Sequence, residues 1–204
     1  MGSFEKWWLV AVLLAGCAHA PVKSALTDTP LVSTTHEQAT ARELVARADA
    51  TVFVFWSSGC PCVRRYQSRI EALAQEWKAR GVAFVQVSSN AGESLELLEE
   101  AARSRGLALP LWRDERGELA EALGARSTPT VVFVRRDGEV LYRGWLDNER
   151  EAGELDREPW LEHALNGFLT GQPFASRSPT WGCTITRRLS LSVAPSCHTP
   201  GVTP

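Results

Sequence analysis

The most regular feature of the chain is an apolar run, Thr51 to Trp56 ("TVFVFW"), that is hydrophobic on both alternating faces. A strand of this kind belongs in the middle of a sheet, with helices covering it on both sides. The next stretch, "VRRYQSRIEALAQEWKARG", repeats Val63, Tyr66, Ile70, Leu73, Ala74 and Trp77 at three- and four-residue spacing. That period predicts a helix with one buried face and Gly81 as its stop. "VAFVQV" after it reads as a second buried strand, and Ser94 to Arg105 as a second amphipathic helix. A short strand is expected in "LPLWRD", and a short helix in "GELAEALG", ending at Gly124. "TVVFVRRDGEVLYRG" predicts a β-hairpin, because two strand-like runs flank Asp137-Gly138, a favoured turn pair. "PWLEHALNGFLTG" predicts a closing helix that starts at Pro159 and stops at Gly171. Upstream of all this a helix is expected from His36, anchored by Leu44 and Val45. The order is βαβ, an inserted helix and strand, a helix, a hairpin and a final helix. It argues for a mixed α/β sheet with helices on both faces.

The ends of the chain carry different patterns. Trp7 to Gly16 ("WWLVAVLLAG") is too short for an ordinary membrane span but suits the hydrophobic region of a signal peptide. It runs into "LAGC", Leu14 to Cys17, which resembles a bacterial lipobox whose cysteine is lipidated and becomes N-terminal after cleavage. Glu5 departs from that pattern, and a plain cleaved signal or a short buried helix is the competing reading. The domain reading is 1–17 signal peptide and lipobox, 18–35 tether, 36–171 folded domain, and 172–204 a loosely packed extension rich in Pro, Ser and Thr. As a flexible coil the tether would reach about 20–25 Å. Ala18 after Cys17 looks like the outer-membrane type of lipoprotein, so the expected address is a bacterial cell envelope, anchored by lipid and facing the periplasm. With 22 Lys and Arg against 24 Asp and Glu and no basic cluster, the 204-residue chain lacks a nucleic-acid footprint.

Export changes the meaning of the cysteines. Once Cys17 is used as an anchor, four of the five remain: Cys60, Cys62, Cys183 and Cys197. An even set can pair in an oxidising compartment, and spacing does not choose among the possible pairings. "SSGCPCVRRY" (57–66) places two of them where the strand pattern gives way to the helix pattern. If the helix starts at Pro61, Cys60 is its cap, and the unpaired N–H groups of the first turn favour a thiolate there. A free thiol with a pKa of about 8.5 is roughly 3% ionised at neutral pH, and lowering the pKa to about 7 makes it half ionised. Arg64 and Arg65 are candidates for adding to this, or are simply solvated charges on the helix. Trp56 reads as a wall beside the thiol.

"FWSSGCPC" after a buried strand, with "STPT" (127–130) before a hairpin strand, resembles the thioredoxin-like superfamily. The branch it looks most like is the exported redoxins of AhpC/TSA and TlpA type, whose insertion would be residues 93–113. "CPCVRRY" and the late Gly182-Cys183 are similar to signatures found in some redoxins. The resemblance implies a thioredoxin-like α/β fold and a catalytic Cys60. It implies that Pro129, preceded by Thr128, is a cis-proline facing that thiol. It implies no cofactor or metal. Its partners would be disulfide-containing proteins, small disulfides or peroxides, with a thiol electron donor.

The departures from the family bear on the reaction. The spacing is C-x-C where thioredoxins have C-x-x-C, and residues two apart on a helix point to opposite sides. A Cys60–Cys62 bridge would therefore need Cys60 outside the helix. Cys62 and Cys183 both stay open as the thiol that resolves a mixed disulfide. Phe53 and Ser57 stand where a peroxiredoxin carries proline and threonine, and Pro129 about where it carries arginine. Disulfide exchange thus ranks above the alternative, a peroxiredoxin-like thiol peroxidase. A copper-delivery module is a weaker reading, because that family wants C-x-x-x-C and a histidine near the hairpin. Cys197-His198 is a weak metal pair in the tail. A redox-silent scaffold with structural cysteines is the last alternative.

Overall fold

The computed structural model describes residues 26, 28–149 and 156–187. In chain order the elements are β1 (Pro30–Ser33), β2 (Gln38–Thr40), α1 (Ala41–Ala46), β3 (Ala50–Phe55), α2 (Pro61–Lys78), β4 (Val82–Ser88) and α3 (Leu95–Arg105). There follow β5 (Leu111–Arg113), α4 (Glu118–Ala122), β6 (Ser127–Thr128), β7 (Thr130–Arg135), β8 (Val140–Gly144), α5 (Trp160–Thr170) and β9 (Cys183–Thr184). Seven strands form one mixed sheet in the order β2-β1-β5-β4-β3-β7-β8, and β6 pairs with β9 in a separate two-stranded ribbon. β3 is central, parallel to β4 and antiparallel to β7, with all six of its residues buried. This is the α/β fold expected, and it is thioredoxin-like.

The alternation along β3 divides the core. Phe53 and Phe55 face one side with Leu44, Val45, Leu119 and Leu123, so α1 and α4 cover that face. Val52 and Val54 face the other side with Tyr66, Ile70, Trp77, Leu161 and Leu165, so α2 and α5 cover it. A third cluster of Trp56, Cys60, Val63, Leu98 and Leu111 joins the start of α2 to the inserted helix α3 and strand β5. The thiol therefore sits on the seam between the parent sheet and the insertion. Among the described residues no helix is long and apolar enough to cross a membrane.

Three expectations are corrected. The first helix starts at Ala41 and not at His36, because Thr40 caps it in a reciprocal box with Glu43. The residues before it turn through His36, at φ +62°, into β2. The region read as a tether is ordered from Pro30, where β1 pairs with β2 and β5 and buries Leu31. The extension is not loose as far as Arg187: Ser178, Trp181, Cys183 and Ile185 all bind the domain. His163 lies on the exposed face of α5.

Candidate active site

β3 ends at Phe55, and the Trp56 N–H still bonds Val87 O at 2.7 Å, which fixes where the strand releases the chain. Ser57 to Gly59 turn, and Cys60 takes the N-cap position of α2 with an extended backbone (φ −85°, ψ 116°) and Pro61 next. Pro61 costs no hydrogen bond at that position. The Cys60 side chain makes no capping bond to its own helix. Its Sγ points instead to Thr128 O, 3.3 Å away. Cys60 is 1% exposed.

Glu93 clamps the turn that carries Cys60, a role the sequence reading did not identify. The carboxylate is buried, and its Oε1 accepts from Ser57 Oγ at 3.0 Å and from Ser58 N and Oγ at 2.6 Å each. Its other oxygen accepts from Ser88 Oγ at the end of β4. From the opposite side, Arg105 bonds Ser58 O and lays its guanidinium 5.2 Å from the Trp56 ring. Trp56 is itself fixed by a 3.0 Å bond from Nε1 to Gln67 Oε1 on α2, so it is a buried wall of the site. Local signal for Glu93 was weak: it lies in a polar turn, and its hydroxyl partners at 57, 58 and 88 are scattered along the chain.

The facing side is built by β6 and β9. The Thr128–Pro129 peptide bond is cis. Thr128 pairs with Cys183 and Ser127 with Thr184, antiparallel, which sets Cys183 beside Cys60. Gly182 makes this possible. At φ +106° it lies so close to the Thr128 carbonyl and the Trp145 ring that a Cβ would overlap the oxygen. Trp181 stacks on Trp145 with centroids 3.9 Å apart and accepts from Trp145 Nε1 at 2.9 Å. Trp145 in turn meets the edge of Tyr66 on α2.

Three thiols thus meet at the helix start, all of them reduced in this structure: Cys60 buried, Cys62 and Cys183 half-buried. Burial pushes the Cys60 thiol up, but hydrogen bonds from the Cys183 and Thr128 side chains and the backbone N–H groups of Val63 and Cys183 outweigh it. The net effect lowers Cys60 below the ordinary thiol range. Burial raises Cys62, and the charge on Cys60 adds to that, while Arg65 partly offsets it. Burial, then the hydrogen bond to Cys60 and its charge, push Cys183 up to about 12. One thiolate beside two protonated thiols can attack a disulfide and be resolved by either neighbour.

Arg64 and Arg65 are exposed. Arg64 borders a surface hollow of about 480 Å³ with Gln67, Ser68, Glu71 and Arg105. Arg65 bonds Glu149 O at 3.1 Å. Cys17, Cys197 and His198 lie outside the described residues. Among the described residues no group of three or more His, Cys, Asp or Glu side chains is arranged to hold a metal ion.

The model of the AhpC/TSA family matches residues 22–143, well over half of the chain. The chain belongs to the AhpC/TSA family. Among curated relatives, the thiol-disulfide oxidoreductase ResA of Halalkalibacterium halodurans is 29% identical over 87 residues, 43% of this chain and 48% of that protein. The chain therefore spans about half the length of the curated relatives it matches. A hypothetical protein from Sinorhizobium meliloti 1021 has the same fold, with TM-score 0.71 and 24% identity over 80% of this chain and 93% of that one. An uncharacterised conserved protein from Geobacillus kaustophilus gives TM-score 0.70 and 29% identity, covering 80% and 91%.

Proposed function

We propose that this AhpC/TSA-family chain is a thiol–disulfide oxidoreductase in which Cys60 attacks first. The observation that carries the reading is the position of its Sγ. It sits at a helix N-terminus, 3.3 Å from the carbonyl before cis-Pro129, with its pKa lowered and two further thiols against it. The Cys60 thiolate attacks one sulfur of a substrate disulfide, and a neighbouring thiol then attacks Cys60 to release the substrate as a thiol. Pro129 and Thr128 shape the face on which the substrate lies. The similarity to proteins named thiol-disulfide oxidoreductase supports this reaction. Disulfide-bearing proteins are the proposed substrates, and a thiol donor returns the pair to its reduced form. The "LAGC" motif supports a lipid anchor at Cys17 and work in a bacterial cell envelope.

Peroxide reduction by the same thiolate is the second reading, favoured by the family match. The deciding assay compares reduction of a peptide disulfide with turnover of hydrogen peroxide in wild type and Cys60→Ser. Disulfide reduction is expected to fall to background in Cys60→Ser. Full activity of that variant in both assays refutes the mechanism, and dependence of peroxide turnover alone on Cys60 gives the second reading the place of the first.

A further inference from the structure

A nucleophile that is 1% exposed cannot reach a disulfide in another polypeptide unless something above it moves. The movable candidate is the C-terminal segment. Upstream, Ser176–Ser178 is held to Arg143 of β8. From Trp181 onward the strand pairing consists of two register positions in the separate ribbon, Ser127 with Thr184 and Thr128 with Cys183, while β3 alone makes six with each of its neighbours. Beyond that ribbon it is pinned at separate points. Trp181 lies on Trp145, Ile185 N bonds Arg126 O at 2.9 Å, and Thr186 exchanges bonds with Asn90 and Ala91. The segment crosses the site as a strap, with Cys183 at its middle.

What the strap occupies is informative. It completes the backbone of Ser127 and Thr128, the two residues before cis-Pro129, by antiparallel strand pairing and sets a cysteine against Cys60. Those main-chain groups are blind to sequence, so any extended segment can replace it by strand addition. We propose that Trp181–Thr186 is a movable strap that covers Cys60 in the reduced protein, yields its place on Ser127–Thr128 to an extended, disulfide-bearing substrate segment, and returns to deliver Cys183 as the resolving thiol. The proposal rests on the reading of Cys60 as the attacking thiol.

The chemistry closes. The Cys60 thiolate attacks the substrate disulfide, forming a Cys60–substrate bond, and the displaced substrate sulfur leaves as a thiolate that takes a proton from water. Cys183 then gives its proton to solvent and attacks Cys60 Sγ. A Cys60–Cys183 bond forms, and the second substrate sulfur leaves. The substrate has gained two electrons and the cysteine pair has lost them; a dithiol donor restores the pair. The order is built in, because part of what keeps Cys183 protonated is the hydrogen bond to Cys60 and its charge, and the mixed disulfide removes both.

The test uses the full chain. Alkylation of Cys60 by iodoacetamide, followed by peptide mass spectrometry, is expected to be at least tenfold faster in Gly182→Val and in Trp181→Ala than in wild type. Both substitutions loosen the strap without touching a cysteine, and the second serves if the first fails to fold. Equal rates in wild type and a folded variant overturn the cover. Treatment of reduced wild type with a peptide disulfide is expected to yield a Cys60–Cys183 bond, and Cys183→Ser is expected to stall as the Cys60–peptide adduct. If wild type gives Cys60–Cys62 and Cys183→Ser turns over at the wild-type rate, Cys62 resolves and the strap proposal falls while Cys60 keeps its role. Failure of Cys60 to form any adduct overturns both.

Discussion

One oxygen of Glu93 accepts both the backbone N–H and the hydroxyl of Ser58, each at 2.6 Å, while its other oxygen accepts from Ser88 Oγ, so the carboxylate ties the end of β4 to the turn that aims Cys60. Removing that carboxylate strands the buried Ser88 hydroxyl and the half-buried donors of Ser57 and Ser58 at once. Glu93→Ala is expected to cost at least about 2 kcal/mol, since each unsatisfied buried polar group costs roughly 1–3 kcal/mol. Disulfide reduction at saturating substrate is expected to fall about tenfold through misplacement of the thiol. Glu93→Gln keeps an acceptor for Ser58 and should recover most of the rate. Denaturant midpoints and rates for both variants check this. Equal losses in Ala and Gln would show that the charge, and not the positioning, matters.

A second buried acid supports the strap from below. Asp147 is fully buried and accepts from Tyr66 Oη at 2.6 Å, from Arg157 Nε at 2.9 Å and from Arg69. These bonds hold the chain after β8 to α2 and seat Trp145 under Trp181. Asp147→Ala removes one acceptor from each of two guanidinium groups and a buried phenol, leaving Arg69 with the Glu149 carboxylate, Arg157 with Glu162 and Tyr66 with Glu149 O. The arginines are about one-third exposed and each keeps a second carboxylate, so the expected cost is about 2 kcal/mol, below that of a broken, fully buried pair. Urea unfolding measures it. A cost under about 1 kcal/mol would mean water replaces the acid fully.

The contrast between these two acids and the helices shows what the sequence makes legible. β3 and α2 are readable because their periods are long and unbroken: six apolar strand positions, then Val63 to Trp77 on one helical stripe. Cys60 is readable because it stands where one period changes to the other. β1 is missed because four residues with only Leu31 and Val32 apolar give no period, and its place is set by partners in β2 and β5. β9 is shorter still, and what docks it is Gly182 against Thr128 O, a contact between residues 54 apart. The helix start at Ala41 was within reach, because Thr40 and Glu43 have the spacing of a capping box. Glu93 was not, because its identity as a clamp exists only once two distant serines, Ser57 and Ser58, are folded onto it.

Lipid attachment is tested independently of the fold. "LAGC" at 14–17 behind a short apolar run predicts that Cys17 receives the lipid. Cells fed a labelled fatty acid should label the wild-type chain and leave Cys17→Ser unlabelled, with the variant released from membranes on fractionation. Equal labelling of the two proteins refutes the anchor. Because the proposed role of Cys17 is anchorage and not thiol exchange, activity against a soluble peptide disulfide is expected to stay the same in the variant.

The last prediction concerns pH. Cys60 is lowered below the ordinary thiol range, while Cys62 is raised and Cys183 lies near 12. In a Cys17→Ser, Cys197→Ser background, the thiolate absorbance of the reduced protein should therefore rise in separated steps. A group whose pKa is lowered ionises first as pH increases, so one thiolate's worth of signal, from Cys60, is expected before an ordinary thiol titrates, and the other two appear only above that range. Disulfide reduction should follow the first step, rising as Cys60 ionises and then levelling. The cause can be separated from the helix terminus by altering Cys183. The hydrogen bond from its thiol is the largest of the effects that lower Cys60, so Cys183→Ala should move the first midpoint upward. Cys183→Ser retains a donor and should move it less. If the midpoint is the same in all three proteins, the helix N-terminus sets the Cys60 thiolate by itself and Cys183 acts only after the mixed disulfide has formed.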